Sequence, residues 1–270
     1  IGRVCPHPCE EKCRRAHLEG AVSICALKRF AADSFMDYIP QCEAKNGKKV
    51  AVIGAGPAGL SCAYFLAIKG YSVEIFESES HGGGMLRYGI PDYRLPHDIL
   101  ERDIDHIMSS GIKVITNVSI GKDVSMEDIQ KSFDAVYISI GAHNDKKLGI
   151  EGEDAENVVS AVGLLRRIGE GDIPDFTGKK ICVIGGGNVS MDATRTAKRL
   201  GAESVTCGIL VPMRRIFTCV CMKSLHTPLK LKKADLSVFF HVFSQKQRQE
   251  RKSRVSAKRC RMQLITALHL

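Results

Sequence analysis

Val50-Ala51-Val52-Ile53-Gly54-Ala55-Gly56-Pro57-Ala58-Gly59 is the stretch that decides the fold. Four consecutive apolar residues are what a parallel strand buried on both faces requires. Gly54 permits the tight turn out of that strand, Gly56 lets the backbone approach a pyrophosphate, and Gly59 lets the following helix pack closely on the sheet. From Leu60 to Lys69 the apolar residues recur at helical spacing, and Gly70 is a stop signal. The helix start offers free N–H groups and a positive dipole end to phosphates. Ser72 to Glu77 reads as the next strand, and it ends in an acid eighteen residues past Gly59, where a carboxylate can accept from ribose hydroxyls. A merely structural glycine turn leaves Glu77 unexplained. Gly54, Gly56, Pro57, Ala58, Gly59 and Glu77 are therefore candidate cofactor contacts of a dinucleotide-binding βαβ unit.

A second unit opens at Lys180. Ile181 to Ile184 is a strand, Gly185-Gly186-Gly187-Asn188-Val189-Ser190 a turn, Met191 to Leu200 a helix ending at Gly201, and Ser204 to Cys207 the start of another strand. Serine in the third glycine place is acceptable, because close packing needs only a small residue. Asp192 reads as a solvated acid near the positive end of the helix. No acid follows the second strand, where Cys207 precedes Gly208, and none occurs before Phe217. That absence favours a nucleotide with a 2′-phosphate, for which Arg214 and Arg215 are candidates, but leaves NADH and NADPH both open.

Working outward, Ile24 to about Met36 reads as a helix with Leu27, Phe30 and Ala31 on one face, and residues 45–49 as a polar linker. Asp98 to Ser110 reads as an amphipathic helix with Ile99, Ile104, Ile107 and Met108 inward. Lys113 to Thr116 and Ala135 to Ile140 read as strands. After Gly208 neither a two-residue nor a 3.6-residue period is sustained. The expected class is α/β with two Rossmann-like units: residues 46–143 binding the first nucleotide, 144–207 the first half of a second nucleotide domain, and 208–270 an atypical tail. The abrupt change in mid-strand suggests a tail read out of frame.

The net charge of +9 belongs to that tail. Residues 211–270 hold fourteen Lys and Arg against two Asp and Glu, so residues 1–210 carry 25 basic and 28 acidic residues. The motif-bearing part is near neutral, and the tail has no finger, RNP or basic-zipper pattern, so nucleic acid is not an expected partner. No apolar run is long enough to span a membrane. Eleven cysteines, several inside apolar segments (Cys62, Cys182), fit small buried hydrophobes in a reducing, cytoplasmic setting better than a secreted disulfide scaffold. The chain begins at Ile1 and is expected to be a fragment, truncated at both ends. Between Cys62 and Cys182 there is no cysteine, so a disulfide-reductase pair beside a flavin is not expected. Hydrolase motifs are absent.

Residues 1–45 open with Cys5, Cys9 and Cys13 in a C-x3-C-x3-C array. Thiolates suit iron–sulfur clusters and also zinc, with His7 and His17 as further ligands in the zinc case. The spacing leaves both open. Cys25 is expected to pack the helix that follows.

The run Gly82-Gly83-Gly84-Met85-Leu86-Arg87-Tyr88-Gly89-Ile90-Pro91, continuing to Arg94-Leu95-Pro96, resembles the small (beta) subunit of NADPH-dependent glutamate synthase, a module shared with dihydropyrimidine dehydrogenase and related bacterial electron-transfer flavoproteins. Gly185 to Asp192 is similar to that family's NADPH segment, and Ser139-Ile140-Gly141-Ala142 to its crossover between the two domains. The resemblance covers about residues 1–207. It implies FAD contacts at Ala58, Glu77, Gly84, Met85, Arg94 and Ile120, and NADPH contacts at Gly187, Asn188, Val189 and Ser190, alongside the Gly185 turn. It also implies that residues 1–45 are part of a helical iron–sulfur domain, with Cys5, Cys9 and Cys13 an incomplete ligand set for 4Fe-4S clusters. Electrons would pass from NADPH through FAD to clusters and on to a larger catalytic subunit or another electron-accepting protein. No catalytic side chain is expected, since the cofactors supply the chemistry. A stand-alone NAD(P)H-dependent flavin reductase and an inactive nucleotide-binding fragment are the alternatives.

Overall fold

The computed structural model describes residues 2–35, 38–145, 147, 152–213, 216–221, 228–229 and 238–241, with side chains described through residue 208. The chain divides into two compact units, one of residues 1–144 and 162–174, the other of residues 145–161 and 175–270. Among the described residues no helix is long and apolar enough to cross a membrane.

The first unit begins with α1 (Pro8–Glu11), a 3-10 turn (Arg14–His17) and α2 (Ile24–Ser34). The apolar face expected of α2 is not covered: Leu27 and Phe30 are 57% and 70% exposed. Polar contacts hold the segment instead. Asp33 accepts from two guanidinium nitrogens of Arg3 (2.9 and 3.1 Å) and lies 3.8 Å from Arg102.

Then follow β1 (Lys49–Ile53), α3 (Pro57–Ile68), β2 (Ser72–Phe76), α4 (Met85–Tyr88), α5 (His97–Met108), β3 (Lys113–Ile115), α6 (Met126–Ser132) and β4 (Ala135–Ile138). The four strands are parallel in the order β3-β2-β1-β4. On one face Val52, Val73 and Ile75 pack with Leu60, Ala63 and Ala67 of α3 and with Ile104, Ile107 and Met108 of α5. The small residues of α3 let it lie close to the strands, and each fully buried aliphatic side chain contributes about 1.5–3 kcal/mol. The other face packs Ala51 and Phe76 on Ile129, with Phe133 meeting Phe76 edge-on. Ser125 caps α6 by accepting from the Asp128 N–H at 3.1 Å, a contact of about 1 kcal/mol.

The second unit holds β5 (Val158–Ser160), which leads through Ala161 into α7 (Ala161–Gly169). The remainder of α7 belongs to the first unit. Next come β6 (Lys180–Ile184), α8 (Asn188–Arg199), β7 (Ser204–Met213), β8 (Ile216–Cys221), β9 (Pro228–Leu229) and β10 (Val238–His241). The sheet order is β5-β10-β6-β7-β8-β9, parallel from β5 to β7 and antiparallel beyond. Where the sequence shows no sustained period, β7 runs on to Met213 and β8 pairs back along it. Ile209 to Val211 and Ile216 to Val220 are continuous apolar and β-branched runs, strand-forming but without alternation. The rest of the segment from 208 to 270, with Arg214 and Arg215, lies outside the described residues.

Candidate functional site

Within the first unit the glycine turn is built as its spacing predicts. The Gly54 N–H donates to Phe76 O (2.8 Å), which ties the end of β1 to the end of β2. Gly56 stands at the N-cap of α3 with ψ 179°, and no side chain caps the helix. Its first N–H groups, at Ala58 and Gly59, are thus left for a ligand. Gly59 is required by contact: a Cβ there would sit 1.9 Å from Gly54 O and 2.7 Å from the Ser139 hydroxyl.

Glu77 follows β2 and is 6% exposed. One carboxylate oxygen accepts from the Ala55 N–H at 2.6 Å; the other accepts from the Glu79 N–H at 2.9 Å and the Ser78 hydroxyl at 3.2 Å. The acid therefore fixes the glycine turn from within and keeps acceptor capacity for a ribose hydroxyl. On the far side of β1, Ser139 donates to Ile53 O and Gly54 O at 3.0 and 3.1 Å.

The Gly82–Met85 segment lies over this turn. The Gly83 N–H donates to Ala55 O (2.8 Å). Gly84, at φ +52°, would carry its Cβ 2.8 Å from the Gly56 Cα, so only glycine lets the two loops meet. Arg87 is buried and pairs with Glu101. The buried Tyr88 hydroxyl bridges the N–H and the carbonyl of His81, both at 3.2 Å, and burial holds its pKa above the usual value. These contacts clasp the loop that presents Gly84 and Met85.

Together these residues line a cavity of about 420 Å³. Gly54, Gly56, Pro57, Ala58, Glu77, Gly84, Met85 and Ile120 all line it; Gly59 instead packs the helix behind, and Arg94 sits half-buried between α4 and α5, off the lining. Glu79, His143 and Arg166 also line it and were not read from the sequence. Arg166, on α7, pairs with Glu79 and donates through Nε to Glu170 at 3.0 Å. The bond to Glu170, with that to Glu79, holds its guanidinium above the ordinary arginine value. An arginine inside an apolar helical run carries no sequence signal of this kind; only its i,i+4 spacing to Glu170 was visible.

In the second unit Gly187 is the N-cap of α8, with ψ 178°, again with no side-chain cap. This matches Gly56 within a degree of ψ. The Gly185 N–H donates to Gly208 O at 2.7 Å, as Gly54 does to Phe76. The turn Gly185 to Ser190 is thus arranged for an anion, with Asn188 and Val189 opening the helix. Ser190 is fully buried, and its hydroxyl has no hydrogen-bond partner among the described residues. Asp192 corrects the solvated reading: it is 3% exposed, with Arg195 at 3.6 Å, because its face of α8 turns inward. Ile184 pairs with Gly208 as Ile53 pairs with Phe76, so the position equivalent to Glu77 is Ile209.

Cys5 and Cys13 are half-buried and Cys9 is exposed. Among the described residues no cluster of His, Cys, Asp and Glu is gathered to hold a metal ion. Backbone N–H groups at Val22, Arg15 and Ala16 hold the Cys13 thiol below its usual pKa. Cys25 is half-buried near the start of α2. Its Sγ donates to Gly2 O at 3.3 Å, and burial, with Cys5 and Glu10 nearby, raises its pKa. His7 lies 3.2 Å from Glu10, and His17 is exposed.

Residues 48–237 match the family described as pyridine nucleotide-disulphide oxidoreductase. The chain is 47% identical over 214 residues to the NADPH-Fe(3+) oxidoreductase subunit beta of Geobacter sulfurreducens, covering 76% of this chain and 32% of the relative. It is 36% identical over 222 residues to the NADPH glutamate synthase small chain of Escherichia coli, covering 76% and 47%. It spans about a third to a half of the length of these relatives. Among solved structures, FprA of Mycobacterium tuberculosis in complex with NADPH superposes with a TM-score of 0.50 at 22% identity, over 59% of this chain and 42% of that one. At that identity the likeness concerns the fold.

Proposed function

The chain belongs to the pyridine nucleotide-disulphide oxidoreductase family, and from that premise we propose that it is the nucleotide-binding part of an FAD- and NADPH-dependent oxidoreductase of the glutamate synthase small-subunit type. The observation that carries the reading is the cavity of about 420 Å³ formed by the Gly54–Ala58 turn, Glu77, Gly84, Met85 and Ile120. Its uncapped helix start suits a pyrophosphate, its buried acid a ribose, and its glycine-on-glycine contact a close backbone approach. These residues, with Arg94 as the remaining FAD contact, would hold the flavin. Gly185, Gly187, Asn188, Val189 and Ser190 would hold NADPH. Ile209 in place of an acid supports NADPH over NADH, because a carboxylate there would repel a 2′-phosphate.

When bound, the two cofactors supply hydride transfer. The chain's own groups bind and orient them, and no side chain is assigned a proton-transfer step. Among the described residues no cysteine lines the cavity, and none occurs in residues 63–181 of the sequence. The expected role is electron transfer to a larger partner subunit or other electron-accepting protein; the Geobacter and Escherichia relatives are themselves named as a subunit and a small chain. For residues 1–45 we propose part of a helical iron–sulfur domain with Cys5, Cys9 and Cys13 as ligands. As arranged here those thiols do not form a metal-holding group, so no electron step is derived through a cluster.

The test is the purified full chain. A flavin absorption spectrum, bleached anaerobically by NADPH and far more slowly by NADH, is the expected result. A colourless chain that takes up no added FAD refutes the reading. Equal rates with NADH refute the assignment of NADPH. Iron and acid-labile sulfide assays on the same sample test the cluster.

A further inference from the structure

Arg166 is the only lysine or arginine among the described residues lining the first unit's cavity. It comes from α7, which the chain reaches only after passing through the second unit's β5 and then returning to the first unit at residue 162. Its guanidinium is anchored by two carboxylates. One Nη donates to Glu79, two residues beyond the ribose-binding acid Glu77, and Nε donates to Glu170 on the same helix at 3.0 Å. Carboxylates at two of its nitrogens restrain the plane of the guanidinium, whose five donors lie in that plane. Arginine stacks well on aromatic surfaces through the face of that plane, and Arg166 lines the cavity with its side chain 39% exposed. The link through Glu79 places it toward the Glu77 end of the cavity. In a bound dinucleotide that is the adenosine end, since Glu77 takes the ribose that adjoins the base.

We propose that Arg166, clamped by Glu79 and Glu170, is the adenine-binding residue of this pocket, stacking on the purine of the bound FAD. The inference rests on the flavin reading above and adds a specificity element to it: the pocket selects flavins that carry an adenosine half. Glu79 acts as a positioning residue, since it orients Arg166 and does not touch the base.

The experiment titrates the flavin-free full chain with FAD and with FMN, followed by flavin fluorescence, and measures AMP as a competitor of FAD. Arg166→Ala is expected to weaken FAD and AMP by about tenfold, within the range of a desolvated cation–π contact, while leaving FMN unchanged. Arg166→Lys, which keeps the charge and loses the plane, recovers little of that. Glu79→Gln weakens FAD by a smaller factor, again without effect on FMN, and serves as a second variant should Arg166→Ala unfold. Far-UV circular dichroism and thermal melts check each fold. FAD affinity unchanged in Arg166→Ala overturns the proposal, as does equal loss of FAD and FMN, or full recovery with lysine. A wild-type chain that binds no FAD overturns the flavin reading itself and this inference with it.

Discussion

Replacing Glu77 by glutamine tests whether this acid serves the fold before it serves a ligand. In the structure its two oxygens accept from different backbone donors, Ala55 N–H at 2.6 Å and Glu79 N–H at 2.9 Å. Glutamine has one acceptor oxygen and one NH₂ in the same positions. Whichever way the amide is turned, one backbone N–H faces another donor. The hydrogen bond that breaks is charge-assisted, worth about 1.5–3 kcal/mol. Ala55 is fully buried, so its N–H, if it is the one stranded, has no route to water. The bond from Ser78 adds little, because that hydroxyl can turn outward. The sum is a loss of about 2–3 kcal/mol in the chain without any nucleotide. For a domain of this size that lowers the melting temperature by roughly 5–10 °C. The assay is thermal unfolding of flavin-free Glu77→Gln against flavin-free wild type, with FAD affinity measured separately. A variant that melts with wild type yet loses FAD refutes the reasoning, since Glu77 would then act on the ribose alone.

Two further substitutions probe packing and tethering. Gly59→Ala places a Cβ 1.9 Å from Gly54 O, forcing α3 off β1 at a cost of about 3 kcal/mol. The reciprocal change Ser190→Gly, at the equivalent place in the second unit, costs no more than about 1 kcal/mol; denaturant unfolding followed by fluorescence or circular dichroism compares the two, and equal losses would refute the distinction. Asp33→Asn removes the carboxylate that pairs with Arg3 and approaches Arg102 of α5, so limited proteolysis should cut residues 1–45 faster while leaving the rest intact. Because the Arg3 hydrogen bond holds the Asp33 carboxyl below its ordinary value, wild type keeps this tether as pH falls through about 3.9 and loses it only lower. Hydrogen exchange in α2 across that range checks the sign, and loosening that begins above the ordinary aspartate value would contradict it.

What was legible in the chain follows from how local each determinant is. The glycine turn, the strand before it and the acid at the end of β2 obey short fixed spacings, so Gly54, Gly56 and Glu77 could be assigned roles before any fold was known. Helix α5 was readable from its periodicity, because one face meets a single apolar surface and Ile104, Ile107 and Met108 pack there. Arg166 was not readable: it reaches the cavity from 87 residues beyond Glu79, and only tertiary structure sets that distance. Asp192 was misread for a related reason. A charged residue near a helix start is ordinarily solvated, and nothing in the spacing tells which face of α8 is covered. The start of β7 at Ser204 was legible, but its run beyond Gly208 and all of β8 were not, because continuous apolar runs carry no period to detect.

The two glycine turns are alike in backbone and unlike in what stabilises them, and this separates their chemistry. Both end a buried strand, both are tied to the next strand by an N–H···O=C bond of 2.7–2.8 Å, and both have an N-cap glycine with ψ near 180°. The first turn is then locked by the Glu77 carboxylate, and Gly54 O with the Ser139 hydroxyl leaves no room for a side chain at Gly59. The second has Ile209 in the register position of that carboxylate and accommodates a serine Cβ at position 190. Its further ties include the Cys207 thiol donating to Gly185 O at 3.3 Å, a weak bond by comparison, and the Thr194 hydroxyl donating to Ser190 O at 2.7 Å. A turn held rigid around an internal acid suits a cofactor that stays bound, because its geometry is complete before the ligand arrives and the ordering cost is already met. A turn without that lock, and without a negative charge to repel a 2′-phosphate, suits a nucleotide that comes and goes with each turnover. This asymmetry, and not the glycine pattern the turns share, is the physical ground for the proposal that the first unit holds FAD and the second NADPH.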